Sequence, residues 1–367
     1  MYGYPEDMPK FREAHAAFER GLALSPSHSQ GYLWYALSLP YVQLYDDPPY
    51  GWIEAWEQDT WQSVAKRGLE IDPLSVPLHT ILANYGYWTK ELDEAYQHAH
   101  RIVEIAPDSP RGYEQLGILS RNESGRMDEA IRWWHKAARL DENSPNHPFS
   151  IGDAYAALGD LEMALAYYGR VRGIVAADAT DWQHRIQMAE ASAWLGSRRD
   201  DADANARDRL ALSDVYDEWR LEIELSLDRS TTRAQVLLSR FKDQNPECFT
   251  MDTDHTEESV WSAAASCPAV VYFIYGELGG DAESAQRRLE ARFEINNTLS
   301  VWSRKALGPY LLDDLLLLGR HEEALDLLEE LVQTGWRGGG NINQAVRFLL
   351  YRYILFDAIR DHPRFQA

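Results

Sequence analysis

The chain of 367 residues carries 36 lysines and arginines against 58 aspartates and glutamates, a net charge of −22, with 45% hydrophobic and 26% charged residues. That composition describes a packed globular protein rather than a disordered one, and its sign argues against nucleic acid and anionic membrane as partners, since both require lysine and arginine to meet phosphate. Two cysteines, Cys248 and Cys267, exclude a disulfide scaffold and fit a reducing cytoplasm.

The opening Met1-Tyr2-Gly3-Tyr4-Pro5-Glu6-Asp7 has neither a basic nor an apolar stretch, which predicts no signal peptide. The most apolar run, 269–275, is far short of the roughly 20 residues that span a bilayer.

Along the chain, several predicted helix ends look alike: Leu22-Ala23-Leu24-Ser25-Pro26, Leu69-Glu70-Ile71-Asp72-Pro73, Val103-Glu104-Ile105-Ala106-Pro107 and Ala138-Arg139-Leu140-Asp141-Glu142. Three columns keep step through them. Leu24, Ile71, Ile105, Leu140 and Ile174 are separated by 47, 34, 35 and 34 residues. Ala14, Trp61, Ala95, Ala130 and Ala164 repeat those intervals, as do Phe18, Ala65, Ala99, Trp134 and Tyr168. Each unit reads as two amphipathic helices, the second carrying small or aromatic residues at i, i+4 and i+7, the spacing of a buried stripe. Gly125 and Gly159 fall between paired helices, where a turn with positive φ is needed.

After residue 176 the pattern loosens. Helical hairpins are predicted near 180–212, 215–244, 257–296 and 299–335, the last marked by the turn Leu318-Gly319-Arg320-His321-Glu322-Glu323-Ala324 with Ala324, Leu328 and Leu331 as its stripe. The 47-residue step places a 13-residue insertion near 45–58, and 245–258 separates two parts of the array. The fold class is all-α: regular units over 1–176 and degenerate helical hairpins with a C-terminal cap over 177–367.

These residues resemble the tetratricopeptide (TPR) repeat, whose period is about 34 residues. Tyr113, Leu116, Gly117, Gly125, Ala130, Trp134 and Ala137 carry the resemblance in the third unit. Gly152, Tyr155, Gly159, Ala164 and Tyr168 carry it in the fourth. The resemblance implies a right-handed α–α superhelix with first helices lining a concave face, where peptides dock.

A narrower likeness rests on the two ends. The half-unit Phe11 to Leu24, the widened first unit and the closing run Phe356-Asp357-Ala358-Ile359-Arg360-Asp361-His362-Pro363-Arg364-Phe365-Gln366 are similar to the TPR region of bacterial TolB-like adenylate cyclases and winged-helix transcriptional regulators. This implies a sensor or docking part of a regulatory system. No residues match cyclase or DNA-binding motifs, so neither activity carries over.

The exposed first-helix slots fall at Trp34, Leu37 and Tyr41, then at Asn84, Tyr87 and Trp88. In the third and fourth units they fall at Arg111, Glu114, Arg121 and Asn122, and at Phe149 and Asp153. Trp34, Tyr41, Asn84, Tyr87, Trp88, Arg111, Glu114, Arg121, Asn122 and Asp153 form the predicted partner groove. Arginine there suits a carboxylate, because guanidinium donates two parallel hydrogen bonds, and aromatic neighbours supply apolar anchors. TPR proteins that clamp a chaperone's C-terminal tail use lysines in these slots, and none stands here. Packing of Trp34, Tyr41 and Trp88 between units is the competing reading.

No catalytic set emerges. Asp252, Asp254 and His255 lie in an acidic loop that lacks the glycine and glutamate spacing of a calcium site. His98 and His100 are two apart on a helix and point about 200° from each other, and His135 is expected to face solvent. Trp336-Arg337-Gly338-Gly339-Gly340 lacks the lysine of a phosphate loop. The aromatic and acidic insertion, with Tyr45, Tyr50, Trp52 and Trp56, caps the open end or meets a partner. The expectation is a cytoplasmic, non-enzymatic protein-binding module without metal or cofactor. One alternative is a small-molecule sensor enclosed by Trp261, Tyr272, Tyr275, Trp302 and Tyr310. The other is an enzyme built on the 252–258 loop.

Overall fold

A computed structural model describes residues 8–45, 61–89, 91–122, 126–197, 199–212, 314–333 and 354–366, with isolated positions between 220 and 312. Among these residues every regular element is helical. The insertion beyond Tyr45, Gly125, the 245–258 stretch, both cysteines, the glycine run after Trp336 and the five aromatic residues of the sensor reading lie outside them, as do the hairpins at 215–244 and 257–296 apart from isolated helical positions.

The chain divides into two compact units, Met1–Leu119 and Ser120–Ala367. The first contains α1 (Met8–Leu24), α2 (Ser29–Tyr45), α3 (Trp61–Ile71), α4 (Val76–Thr89), α5 (Leu92–Ile105) and most of α6 (Pro110–Asn122). Each of α1 to α4 packs on the next, and α2 also touches α4. That order is the one expected of stacked antiparallel pairs, α2 with α3 and α4 with α5, preceded by a single helix. The core of this unit gathers Leu33, Ala36, Val64, Ala65, Leu78, Ile81 and Leu82.

The second unit contains the end of α6, then α7 (Met127–Leu140), α8 (Asn146–Leu158), α9 (Leu161–Ile174), α10 (Thr180–Gly196), α11 (Ala202–Leu210) and α12 (His321–Gln333). A 3-10 turn (Ile354–Ala358) and the short α13 (Pro363–Gln366) follow. Consecutive helices from α7 to α11 pack on one another, and α8 also meets α10. Phe149, Tyr168, Met188, Leu195, Leu315, Leu325 and Phe356 belong to its core.

Local chemistry explains the elements. In α7 the buried residues Ala130, Ile131, Trp134 and Ala137 form one stripe. Asp128 and Glu129 open the helix and Arg139 closes it, each on the favourable end of the helix dipole. Asp160 caps α9, its Oδ1 accepting from the Met163 N–H at 3.1 Å. Gly159 adopts φ +82°. The Gly159 N–H donates to the Ala156 carbonyl at 3.0 Å and the Asp160 N–H to the Tyr155 carbonyl at 2.9 Å, the pair of bonds that closes a helix through a left-handed residue. Gly319, at φ +70°, repeats this turn, with Arg320 N–H donating to the Leu315 carbonyl at 2.9 Å.

The repeat is as visible in the backbone as in the residues. After α1, α3, α5 and α7 the same turn recurs: His28 N–H to Ser25 O, Ser75 to Asp72, Ser109 to Ala106 and Ser144 to Asp141. In the aromatic and alanine columns Ala65, Ala95, Ala99, Ala130, Ala164, Trp134 and Tyr168 are buried, while Ala14, Phe18 and Trp61 at the start of the array are half-buried. The third column does not. Leu24 is 88% exposed, Ile71 and Leu140 are also exposed, and Ile105 and Ile174 are half-buried, each of the five being the last residue of its helix.

The closing segment docks on α12. Arg364 reaches Glu322, Asp326 and Glu329 at 3.0, 2.6 and 2.8 Å, and Phe365 stacks obliquely on Phe356 at 5.6 Å.

Candidate functional site

The predicted groove residues fall into both units. In the first, Trp34 is 49% exposed and Leu37 is 41% exposed, one turn apart on α2. The Trp34 ring lies nearly parallel to Phe18 of α1, centroids 6.4 Å apart, so it is half packed and half presented. Asn84 and Tyr87 on α4 are half-buried, Glu114 on α6 likewise, and Arg111 is exposed. The side chains of Tyr41, Trp88 and Asn122 lie outside the described residues.

In the second unit the fourth-repeat slots do not behave as a pair. Phe149 is 3% exposed, which corrects the expectation that it faces the groove. Trp182 of α10 meets it edge-on at 5.7 Å and Tyr168 of α9 lies at 5.6 Å, so the packing of α8 between its neighbours covers it. Asp153, one turn further along α8, is half-buried. It accepts a 2.8 Å hydrogen bond from the Tyr168 hydroxyl.

Two guanidinium groups act on that carboxyl through their charge. Arg185 of α10 lies over both Trp182 and Phe149, at 4.3 and 4.9 Å from the ring centroids. Arg121, at the end of α6, lies 5.8 Å from the ring of Trp134. Burial pushes the Asp153 carboxyl up to about 7, against the Tyr168 hydrogen bond and the positive charge of Arg121 and Arg185, which pull it down. Burial also raises the Tyr168 hydroxyl well above its ordinary value, helped by the Asp153 charge, and lowers Arg185. Desolvation therefore wins over two favourable charges, which puts Asp153 midway through its titration near neutral pH.

Arg185, Trp182 and Tyr168 were not among the predicted groove residues. The register of the first helices is readable only as far as the fourth unit, because the columns loosen after 176. Trp182 and Arg185 at i and i+3 near the start of the fifth pair were the available signal.

A second polar cluster lies in the first unit. His79 Nε2 faces the Pro73 carbonyl at 3.1 Å, and the two Nδ1 atoms of His79 and His98 stand 2.8 Å apart. His98 Nε2 is 3.7 Å from Glu94, whose Oε1 also takes Lys66 at 2.8 Å. His100 points elsewhere and stacks on Tyr96, as the two-residue offset requires. His135 is half-buried with its Nε2 3.2 Å from the Tyr167 hydroxyl, so it does not face solvent as expected. The Tyr167 ring, 32 residues away, covers it from the neighbouring unit of the repeat.

Among the described residues no three histidine, cysteine, aspartate or glutamate side chains gather as metal ligands. No helix among them is long and apolar enough to cross a membrane.

No protein-family model matches the chain, and no curated protein matches it. Solved structures do align. YrrB, described as a TPR protein with an unusual peptide-binding site, aligns with 53% of this chain and 93% of its own at 16% identity and TM-score 0.38. The APC/C hetero-tetramer Cut9–Hcn1 aligns with 92% of this chain and 58% of its own at 16% identity and TM-score 0.40. The human IFIT1 dimer with PPP-AAAA aligns with 88% of this chain and 68% of its own at 15% identity and TM-score 0.40. The chain thus spans less than two thirds of the Cut9–Hcn1 chain. The TPR-like reading of this chain rests on its own helix pairs and recurring turns.

Proposed function

We propose that the chain is a non-enzymatic interaction module, in which the first helices of successive pairs hold a peptide or a partner domain. One observation carries this reading. The periodic stripe of the second helices is consumed in packing, with Ala95, Ala99, Ala130, Trp134, Ala164 and Tyr168 buried. The first helices, by contrast, retain half-exposed aromatic and charged side chains: Trp34, Tyr87, Arg111, Arg121 and Asp153. A surface that keeps aromatic and guanidinium groups at partial exposure has the composition of a recognition site. Together with the end segments described above, this supports a regulatory part of a bacterial signalling or transcription system, working in the cytoplasm by recognition and without bond chemistry.

Photo-crosslinking tests it. A benzophenone amino acid placed at Trp34 or Arg111, both on first helices, should trap a discrete protein or peptide adduct in cells that carry the gene. The same group at Arg132 or Glu162, exposed on second helices, should not. Adducts from Arg132 and Glu162 alone would place recognition on the opposite helices and sink the proposal.

A further inference from the structure

We infer that His79 and His98 form a proton-operated latch that ties α4 to α5 and to the turn after α3, closed at neutral pH and opened by acid. The inference is independent of the docking function proposed above.

The geometry fixes where the protons sit. His79 Nε2 lies 3.1 Å from the Pro73 carbonyl oxygen. A carbonyl only accepts, so the proton of a neutral His79 is on Nε2 and its Nδ1 is a bare lone pair. The 2.8 Å approach of the two Nδ1 atoms then requires His98 to donate from Nδ1. That leaves His98 Nε2 without a proton, 3.7 Å from Glu94 Oε1. Glu94 in turn takes Lys66 of α3 at 2.8 Å and accepts from Gln62 Nε2 of α3 at 3.4 Å. The contacts close a circuit. It runs from Pro73, just after α3, through His79 of α4 to His98 and Glu94 of α5, and back to Lys66 of α3.

This circuit answers acid in two unequal steps. His98 can take a proton on Nε2, beside the Glu94 carboxylate, and still donate from Nδ1, and charge on a donor strengthens its hydrogen bond. His79 has no such freedom. Its only basic atom is the Nδ1 that accepts from His98, so protonating it sets two N–H groups against each other and the rings must part. His79 is 7% exposed, so its ring cannot reach water without opening the contact of α4 with α5.

The surroundings favour that sequence. Burial holds both rings below their ordinary value of 6.5. The Pro73 carbonyl and Asp72 favour charge on His79 and Arg101 opposes it, whereas His79 and Lys66 oppose charge on His98 and Glu94 favours it. α2, which also touches α4, contains no acidic or basic side chain. Where α4 turns into α5 the helices are held by contacts that do not titrate. A methyl group on Gly86 would stand 2.8 Å from the Ala95 Cβ and 2.8 Å from the Glu91 carbonyl oxygen. Acid therefore frees the other end of the pair, where His79 holds the turn after α3.

Amide hydrogen exchange of the full-length chain, corrected for intrinsic rates, tests the latch at pH 7.5 and pH 5. A histidine of ordinary value 6.5 that stays neutral in the closed pair and titrates freely in the open one makes opening about thirtyfold easier over that range. Protection in α4 and α5 should fall by about that factor, and protection in α9 and α10 should not follow. In His79→Gln the Oε1 atom still accepts from His98 and cannot be protonated, so the fall should shrink to about threefold or less. His98→Gln still donates to a titrating His79 and should keep the fall. Nitrogen NMR of the natural protein at pH 7.5 should find the proton of His79 on Nε2 and that of His98 on Nδ1. The opposite tautomers overturn the latch without recourse to a variant. So do a fall that is absent, equal throughout the chain, retained in His79→Gln or lost in His98→Gln.

Discussion

A methyl group on Gly152 would stand 2.7 Å from Cε1 and 2.9 Å from Cδ1 of Tyr168, a ring that is buried and held by its hydroxyl on Asp153. The ring has nowhere to turn. Gly152→Ala should therefore destabilise the protein by up to about 2 kcal/mol, since overpacking costs about 1–3 kcal/mol and alanine returns roughly 1 kcal/mol of helix propensity. A lower urea midpoint with an unchanged slope would show it, and an unchanged midpoint would mean that α8 and α9 yield. Two residue-scale pH effects oppose each other. Burial holds His79 and His98 below their ordinary value of 6.5. The unfolded chain then binds more protons, and their contribution to stability is lost as pH falls below about 6.5. Asp153 runs the other way. It keeps its proton up to about 7 against 3.8 unfolded, so its contribution is lost as pH rises from about 4 to 7. Melting temperatures across pH should show Asp153→Asn gaining on the natural protein over pH 4 to 7, and a constant difference would refute this. Two histidines 19 residues apart carry no sequence signal of pairing, whereas Gly152 was legible because its whole motif is local.

At the scale of elements, one carboxylate ties three helices. Glu190 of α10, 3% exposed at its side chain, pairs with Arg172 of α9 through both oxygens, one contact at 2.7 Å, and with Arg209 of α11 at 3.0 Å. Removing one partner of a buried pair costs more than the pair contributes, because the remaining charges stay desolvated. Glu190→Gln should cost about 3 kcal/mol, the low end for a buried pair, since water reaches a third of each arginine. Adding Arg172→Met should recover part of that loss in chemical denaturation, and a further loss would show that the arginine packs independently of its charge. The helices themselves were legible because capping, stripe and turn are all local. Asp160, Gly159 and the Ala130–Trp134–Ala137 spacing each act within a turn or two. The Glu190 network was not, since its three members lie 18 and 19 residues apart on separate helices.

For the molecule as a whole, a net charge of −22 works against compactness through self-repulsion. Raising sodium chloride from about 20 to 200 mM shortens the screening length to within about 10 Å and should raise the melting temperature by a few degrees. A falling melting temperature would show that attractive pairs such as Arg364 with Glu322, Asp326 and Glu329 outweigh the repulsion. What the sequence alone determined is the series of helix pairs, their 34- to 47-residue steps and the inward columns, because an amphipathic helix declares its buried face through neighbours three and four residues away. Only the tertiary structure decided that Phe149 is covered by Trp182, that His79 meets His98, and that the Tyr168 hydroxyl reaches Asp153. Those meetings depend on how far one helix is turned and slid against another. That offset comes from packing summed over whole interfaces, and no short stretch of residues records it.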